Sequence, residues 1–299
     1  ICGYITKEAA EKTGLSEGTP VAGGAFDIDA CALGVGLTDP GRLCMIAGTW
    51  SINEYIGTAP ITDGSVLMNS LFCLPGYYLV EECSPTSAGN NEWFIKNLLP
   101  ELRQACAKTG LSLYETMNRW VEEIPVHEFC PVYLPFLMGS NVHPNACGSF
   151  VGINHSHTRN HLLRSVYEGV AFSHRWHLEK LLKTRQEPPV SIRLAGGAAR
   201  SPVWTQMFAD VMKLPVESVA AGETGALGCA VLGAAACGDY PDVKSAARAM
   251  CHISRTAVPD KARSVIYDRK YELYRKTIAA LDGVWDSIQA YRDEVSGQG

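Results

Sequence analysis

Two stretches of this chain share one plan, and that plan limits what the chain can fold into. "VAGGAFDIDACALG", residues 21–34, and "SIRLAGGAARSPVWTQMFADVM", residues 191–212, each run from a β-type segment through a glycine pair into a helical segment. Strand, glycine turn and helix in that order, used twice, make an α/β domain. Between them, "GRLCMIAGTWSINEYIG", 41–57, reads as two strands around a tight Gly48–Thr49 turn, with a hairpin as its plainest role. "SLFCLPGYYLVEECSP", 70–85, reads as a second hairpin turning at Pro75–Gly76. In "NNEWFIKNLLPELRQACAKTG", Trp93, Phe94, Leu98, Leu99 and Leu102 recur near helical period. The strongest helix is 158–186, where Leu162, Val166, Val170, Phe172 and His177 fall near one stripe with the charges elsewhere. Residues 223–240 predict a small-residue helix able to pack closely, and 259–293 a terminal helix. Residues 1–20, a short helix in "TKEAAEKTGL" followed by "SEGTP", read as a connector, and 21–299 as one domain.

The formal net charge of −5 argues against a nucleic-acid partner, since grip on phosphate backbones rests on clustered Lys and Arg. The eleven cysteines are scattered and form no C-x-x-C pair, so they predict reduced, mostly buried thiols in a cytoplasmic protein. No apolar run reaches the ~20 residues of a membrane span, and no basic-then-apolar leader opens the chain. It starts at Ile1 without a Met, which suggests a piece of a longer protein. His155, His157, His161, His174 and His177 raise a zinc reading, but no H-E-x-x-H or third ligand at useful spacing supports it, so no metal site is assigned.

A glycine turn ahead of a helix lets backbone approach a ligand, and the helix's free N–H groups favour a phosphate. Gly23–Gly24, Gly48–Thr49 and Gly196–Gly197–Ala198 are such turns, and Thr49 adds a hydroxyl. None fits the Walker A or G-x-G-x-x-G spacing. Asp27 follows the first turn. Local sequence leaves two roles open for it, helix cap and proton acceptor. Asp29 is the rival base, but lies roughly 200° further round a helix, where a carboxylate steadies the helix dipole.

Specific motifs narrow this. "GGAFDIDACALG" resembles the segment carrying the catalytic aspartate in the FGGY family of carbohydrate kinases, with Asp27 seven residues before Gly34. The family's second signature is matched at Gly148, Phe150, Gly152 and Ile153, then after seven residues at His161, Leu162, Ser165, Val166, Tyr167 and Glu168. "RLAGGAARSPVWTQMFADVMKLPV" and "ETGALGCAVLGA" are similar to the family's adenosine-binding turn and the helix after it. The resemblance runs over nearly the whole chain and is strongest to the family's ketopentose kinases.

It implies an actin/hexokinase-like ATPase fold of the ribonuclease H type, with a mixed sheet flanked by helices. It implies two domains with ATP and sugar in the cleft between them. This chain corresponds to the second, nucleotide-binding domain. The absent N-terminal kinase domain would supply the first phosphate loop, a metal-binding aspartate and most sugar contacts. The implied reaction moves the γ-phosphate of ATP, with Mg²⁺, to a hydroxyl of a sugar, a ketopentose such as L-xylulose, with Asp27 as general base. Gly48 and Thr49 would hold the β/γ-phosphates. Gly196, Gly197 and Ala198 would approach the α-phosphate and ribose. Ala88 and Gly89 would form another nucleotide turn, whose plainer reading is a helix start capped by Asn90. Ser201 stands where the family often has an Asn against adenine, a departure. Arg200 is open between the base, a phosphate and solvent, and Glu168 is read as tying its helix to a neighbouring strand. A homodimer remains open as a further partnership. The competing readings are a non-catalytic sugar- or nucleotide-binding module of the same fold, and a thiol-dependent enzyme.

Overall fold

A computed structural model describes residues 1–297. In chain order the elements are β1 (Gly3–Tyr4), α1 (Lys7–Thr13), β2 (Pro20–Val21), α2 (Asp27–Gly34), β3 (Arg42–Ala47), β4 (Ser51–Gly57), β5 (Met68–Leu71), β6 (Tyr78–Ser84), α3 (Gly89–Leu98), α4 (Pro100–Thr109) and α5 (Leu113–Glu123). Then come β7 (Val132–Leu134), β8 (Ser149–Val151), α6 (Arg159–Lys183), β9 (Ser191–Ala195), α7 (Pro202–Met212), β10 (Val216–Val219), α8 (Thr224–Ala236), α9 (Val243–Met250), β11 (Ile253–Ala257) and α10 (Lys261–Ser296).

Seven strands form one mixed sheet in the order β11-β10-β9-β3-β4-β6-β5. The middle is parallel, β10 to β9 and β9 to β3, and both flanks are antiparallel. The unbroken apolar run of β3 fits this place, because a central strand buries both faces. Leu43, Met45 and Ala47 enter the larger core beside α6 and α7, while Cys44 enters a smaller core beneath α2. The turns after β3 and β9 lie at the carboxyl ends of parallel neighbours, where open α/β sheets bind ligands.

On the smaller face α2 and α8 pack almost backbone to backbone. A Cβ on Gly34 would stand 1.9 Å from the Thr224 carbonyl oxygen, and one on Gly228 would stand 1.8 Å from that of Ala30. The small-residue composition of 223–240 therefore serves close packing, as its sequence predicts.

Several expectations need correction. Residues 22–26 are not a buried strand: only Pro20–Val21 is extended, paired with Gly3–Tyr4 in a separate two-stranded ribbon. The helical stretch after Asn90 breaks at Leu99, because Pro100 has no N–H to continue the ladder and instead opens α4 at its first turn. The charges of α6 are not all outside. Arg164 and Glu168 are buried, and Arg164 Nη1 donates to the Val121 and Ile124 carbonyls at the end of α5. Glu168 binds Arg164 (2.8 Å) and Lys270 of α10 (2.8 Å), so it joins two helices rather than a helix and a strand. Only Cys44, Cys106 and Cys130 of the eleven cysteines are buried, while Cys229 and Cys237 lie on the open side of α8. Among the described residues no helix is long and apolar enough to cross a membrane.

Candidate functional site

A cavity of about 290 Å³ opens where the β3–β4 turn, the start of α3 and the β9–α7 turn converge. Gly48, Thr49, Ala88, Gly89, Gly197 and Ser201 line it. The turns are tied together by backbone bonds. Ser87 N–H donates to the Thr49 carbonyl (2.9 Å), and Gly89 N–H to that of Gly48 (3.3 Å). Gly48–Thr49 is thus both a tight hairpin turn and a cavity wall.

Gly196 and Ala198 do not line this cavity. Gly196 has φ +81°, and a Cβ there would meet the Ala47 carbonyl oxygen at 2.5 Å. Glycine is required at 196 because the turn after β9 presses on the end of β3. Its outer side faces a separate groove shared with Gly222 and Thr224. Ala198 is wholly buried.

Ser201 has its hydroxyl committed twice. It accepts the Trp204 N–H (3.1 Å) as cap of α7 and donates to Asn118 Oδ1 (2.7 Å). Arg200 Nη2 donates to the Gly222 carbonyl (2.7 Å) and reaches Glu223 (3.0 Å) at the rim. Asn90 is not a cap. It is buried, donates to Thr86 Oγ1 and to the Ser87 and Pro135 carbonyls, and accepts from the Tyr133 hydroxyl. Asn90 thereby clamps the turn that carries Ala88 and Gly89.

The sequence reading missed the far wall. Tyr114 and Asn118 from α5, Asn91 from α3, and the stacked Tyr167–Trp204 pair (centroids 4.1 Å apart) also face the cavity. Aromatics on amphipathic helices look like core, and Tyr167 and Trp204 are core on one side, while Tyr114 is half exposed. Only the tertiary approach of α5 to α7 brings their edges to a cavity.

Asp27 stands elsewhere. It opens α2 at the first helical position, with Phe26 as cap residue, and its Oδ1 accepts the Ile28 N–H (2.9 Å). The side chain is exposed. It sits between Phe26 and Asp29, which line a second, open groove of about 870 Å³ together with Gly23 and Gly24. Asp29 is buried, as the helical rotation from Asp27 requires.

Beneath α2 lies a row of acids. Glu54 of β4 and Glu81 of β6 are direct cross-strand partners, both 0 % exposed, with Cys44 next in the row. Both oxygens of each glutamate, and Oδ1 of Asp29, have no hydrogen-bond partner. Burial raises Asp29 to about 6 and Glu81 to about 7, and carries Glu54 well above the usual carboxylate range. These three hold protons where ordinary carboxylates have lost them.

His161 and His177 have structural partners. His161 Nδ1 accepts the Thr158 N–H (3.1 Å) and its Nε2 meets Glu128 (2.8 Å), while His177 Nδ1 meets buried Glu82 (3.1 Å). Among the described residues no group of three or more His, Cys, Asp or Glu is arranged to hold a metal.

Comparison with known proteins bears on this arrangement. Residues 43–237, from β3 to the end of α8, match the model of the FGGY family of carbohydrate kinases, C-terminal domain. The chain belongs to the FGGY family of carbohydrate kinases. It is 38% identical over 293 residues to the L-xylulose/3-keto-L-gulonate kinase of Escherichia coli K12, covering 97% of this chain and 56% of that protein. It is 36% identical to a probable L-xylulose kinase of Haemophilus influenzae, over 94% of this chain and 55% of the relative. The crystal structure of xylulose kinase from Rhodospirillum rubrum superposes with a TM-score of 0.80 at 30% identity, over 96% of this chain and 56% of that one. A Plasmodium falciparum glycerol kinase with ADP, 17% identical, shares the fold at a TM-score of 0.73 over 92% of this chain and 53% of that one. The chain therefore spans about half the length of the FGGY kinases it matches.

Proposed function

We propose that this chain is the nucleotide-binding half of an ATP-dependent kinase that phosphorylates a hydroxyl of a ketopentose such as L-xylulose. The observation that carries the reading is the convergence of three glycine-bearing turns on one cavity in an FGGY-family chain. Phosphoryl transfer has a loose transition state, so the protein's task is positioning and charge stabilisation. Gly48 and Thr49 would take the β/γ-phosphates with backbone N–H groups and the Thr49 hydroxyl. Gly197, with Gly196 and Ala198 contributing backbone only, would take the α-phosphate and ribose. Ala88 and Gly89 would close the other side. The base would lie toward Ser201, Asn118 and Tyr114. Because the Ser201 hydroxyl is already bonded to Asn118, Ser201 acts on the base through that amide.

Asp27 would accept the sugar hydroxyl's proton. One oxygen accepts the Ile28 N–H, and the exposed side chain leaves the other for substrate. Asp27 and the phosphate-gripping turns face different openings of this chain, so sugar and nucleotide would meet only with the N-terminal domain in place. Mg²⁺ would arrive with ATP, and no ligand for it is assigned among these residues. The similarity to the L-xylulose/3-keto-L-gulonate kinase of Escherichia coli supports the choice of keto-sugar.

The test is activity of the full-length protein with ATP, Mg²⁺ and a panel of pentuloses, before and after Asp27→Asn. Loss of about a hundredfold or more in kcat, with ATP affinity kept, is the expected result. Phosphorylation at near wild-type rate in that variant removes Asp27 as the base.

A further inference from the structure

We propose that His174, buried behind the cavity and outside its lining, is the positioning residue that holds the two nucleotide-gripping turns in register. The inference rests on the nucleotide reading of the cavity given above.

His174 is wholly buried in the middle of α6, edge-on to Phe208. Its two ring nitrogens bond to different segments, one to the turn before α3 and one to the strand β4. Nε2 lies 2.8 Å from Ser87 Oγ, one residue before Ala88–Gly89. Nδ1 lies 2.9 Å from Asn53 Oδ1 and 3.2 Å from Ser51 Oγ, on the strand that leaves Gly48–Thr49. Ser87 in turn donates its N–H to the Thr49 carbonyl (2.9 Å). One imidazole thus closes a ring through both turns and the helix between them.

The direction of each bond follows from the partners. Asn53 Nδ2 donates to the Glu82 carbonyl (3.3 Å), so Asn53 turns its oxygen to the imidazole. An amide oxygen only accepts, so Nδ1 carries the proton. Nε2 is then bare and accepts from the Ser87 hydroxyl. Burial, with a smaller contribution from His177, pushes His174 down to about 3. The ring therefore stays neutral, and this single tautomer persists through the working pH range. A protonated ring would put a second N–H against the Ser87 hydroxyl and reverse that bond. A phenyl ring would fill the same space but leave Asn53 Oδ1 and the Ser87 hydroxyl buried without partners, a costly state that the turns can relieve only by moving.

The consequence is specific. Losing His174 should loosen the grip on nucleotide while leaving the sugar side alone, because Asp27 and its groove lie on the opposite face of the sheet. In the full-length protein, His174→Phe is expected to raise the Kd for ADP and the KM for ATP about tenfold or more, with the sugar KM unchanged. Ser87→Ala, which removes one oxygen and keeps the ring, should reproduce the direction. The double variant should cost no more than His174→Phe alone, since both break one link. His174→Gln can still reach Ser87 and should restore part of the ADP affinity.

Nitrogen-15 NMR of the wild-type His174 side chain provides a readout free of mutation. Protonated Nδ1 and bare Nε2, with the Nε2 signal moving on addition of ADP, is the expected result. Three outcomes overturn the inference: the opposite tautomer, a folded His174→Phe or Ser87→Ala protein with unchanged ADP affinity, or a sugar KM that rises as much as that for ATP. If the wild-type protein itself binds no ADP, the nucleotide reading fails first.

Discussion

Glu168 shows how a single residue can be placed correctly in a motif and wrongly in space. It sits inside the "YEGVAF" signature, yet its partners are Arg164 one turn back on α6 and Lys270 on α10. Arg164 and Glu168 are 4% and 6% exposed at the side chain, so removing either strands a buried charge. Glu168→Ala is expected to lower unfolding stability by about 3–5 kcal/mol in a urea titration. A change under 1 kcal/mol would show the pair to be dispensable. The place of Asp27 was legible because it depends only on position along the chain, directly after a glycine turn and at a helix start. The Tyr114, Asn118 and Asn91 wall was not, because each of those residues reads locally as an ordinary helical side chain. What makes them cavity residues is the packing of α3 against α6, and of α5 against α6 and α7, elements distant in sequence.

At the level of elements, α2 and α8 form the tightest contact in the chain. Ala-sized side chains at Gly34 or Gly228 would overlap carbonyl groups of the opposite helix by more than 1 Å, and backbone cannot swing aside as a flexible side chain can. Gly228→Ala is therefore expected to cost about 3 kcal/mol or more, read as a drop in Tm, whereas Gly233→Ala, which meets nothing within 4 Å, should be tolerated. Equal Tm for the two variants would contradict the packing. The small-residue run 223–240 announced this contact, but could not name its partner. Strands β3, β4, β6 and β9 were legible from apolar runs bounded by turn residues. The 22–26 segment misled because three apolar residues and two glycines look like a strand end, while nothing beside them offers a ladder. β11 has an almost wholly exposed pattern and offered no periodic signal.

Across the whole molecule, two sets of buried groups pull stability in opposite directions with pH. Glu81 and Glu54 keep protons in the folded state that the unfolded chain releases near pH 4, so folding stability falls as pH rises through and beyond 7. His174 acts the other way. It is held neutral down to about 3, so its contribution is complete above the unfolded histidine value near 6.5 and is lost as pH falls below that. Between about 4 and 6.5 the one histidine opposes the two glutamates only in part. From pH 6.5 to 7.5, above the histidine range and below that in which unfolded thiols ionise, the glutamates set the slope, and Tm is expected to decline across that window, with the slope removed in a Glu54→Gln, Glu81→Gln double variant. A flat wild-type profile would mean that the pair is already ionised. The proposed division of labour over the sheet follows the same two faces: the proposed nucleotide turns with α3, α5 and α7, and the proposed base with α2. A crystal structure of the full-length protein with a non-hydrolysable ATP analogue and Mg²⁺ bears most directly on it. The account predicts the β/γ-phosphates against Gly48 and Thr49, the ribose at Gly197, and Asp27 brought to face the terminal phosphate across the sugar. Nucleotide bound away from that cavity, or a cavity left empty at saturating analogue, would contradict it.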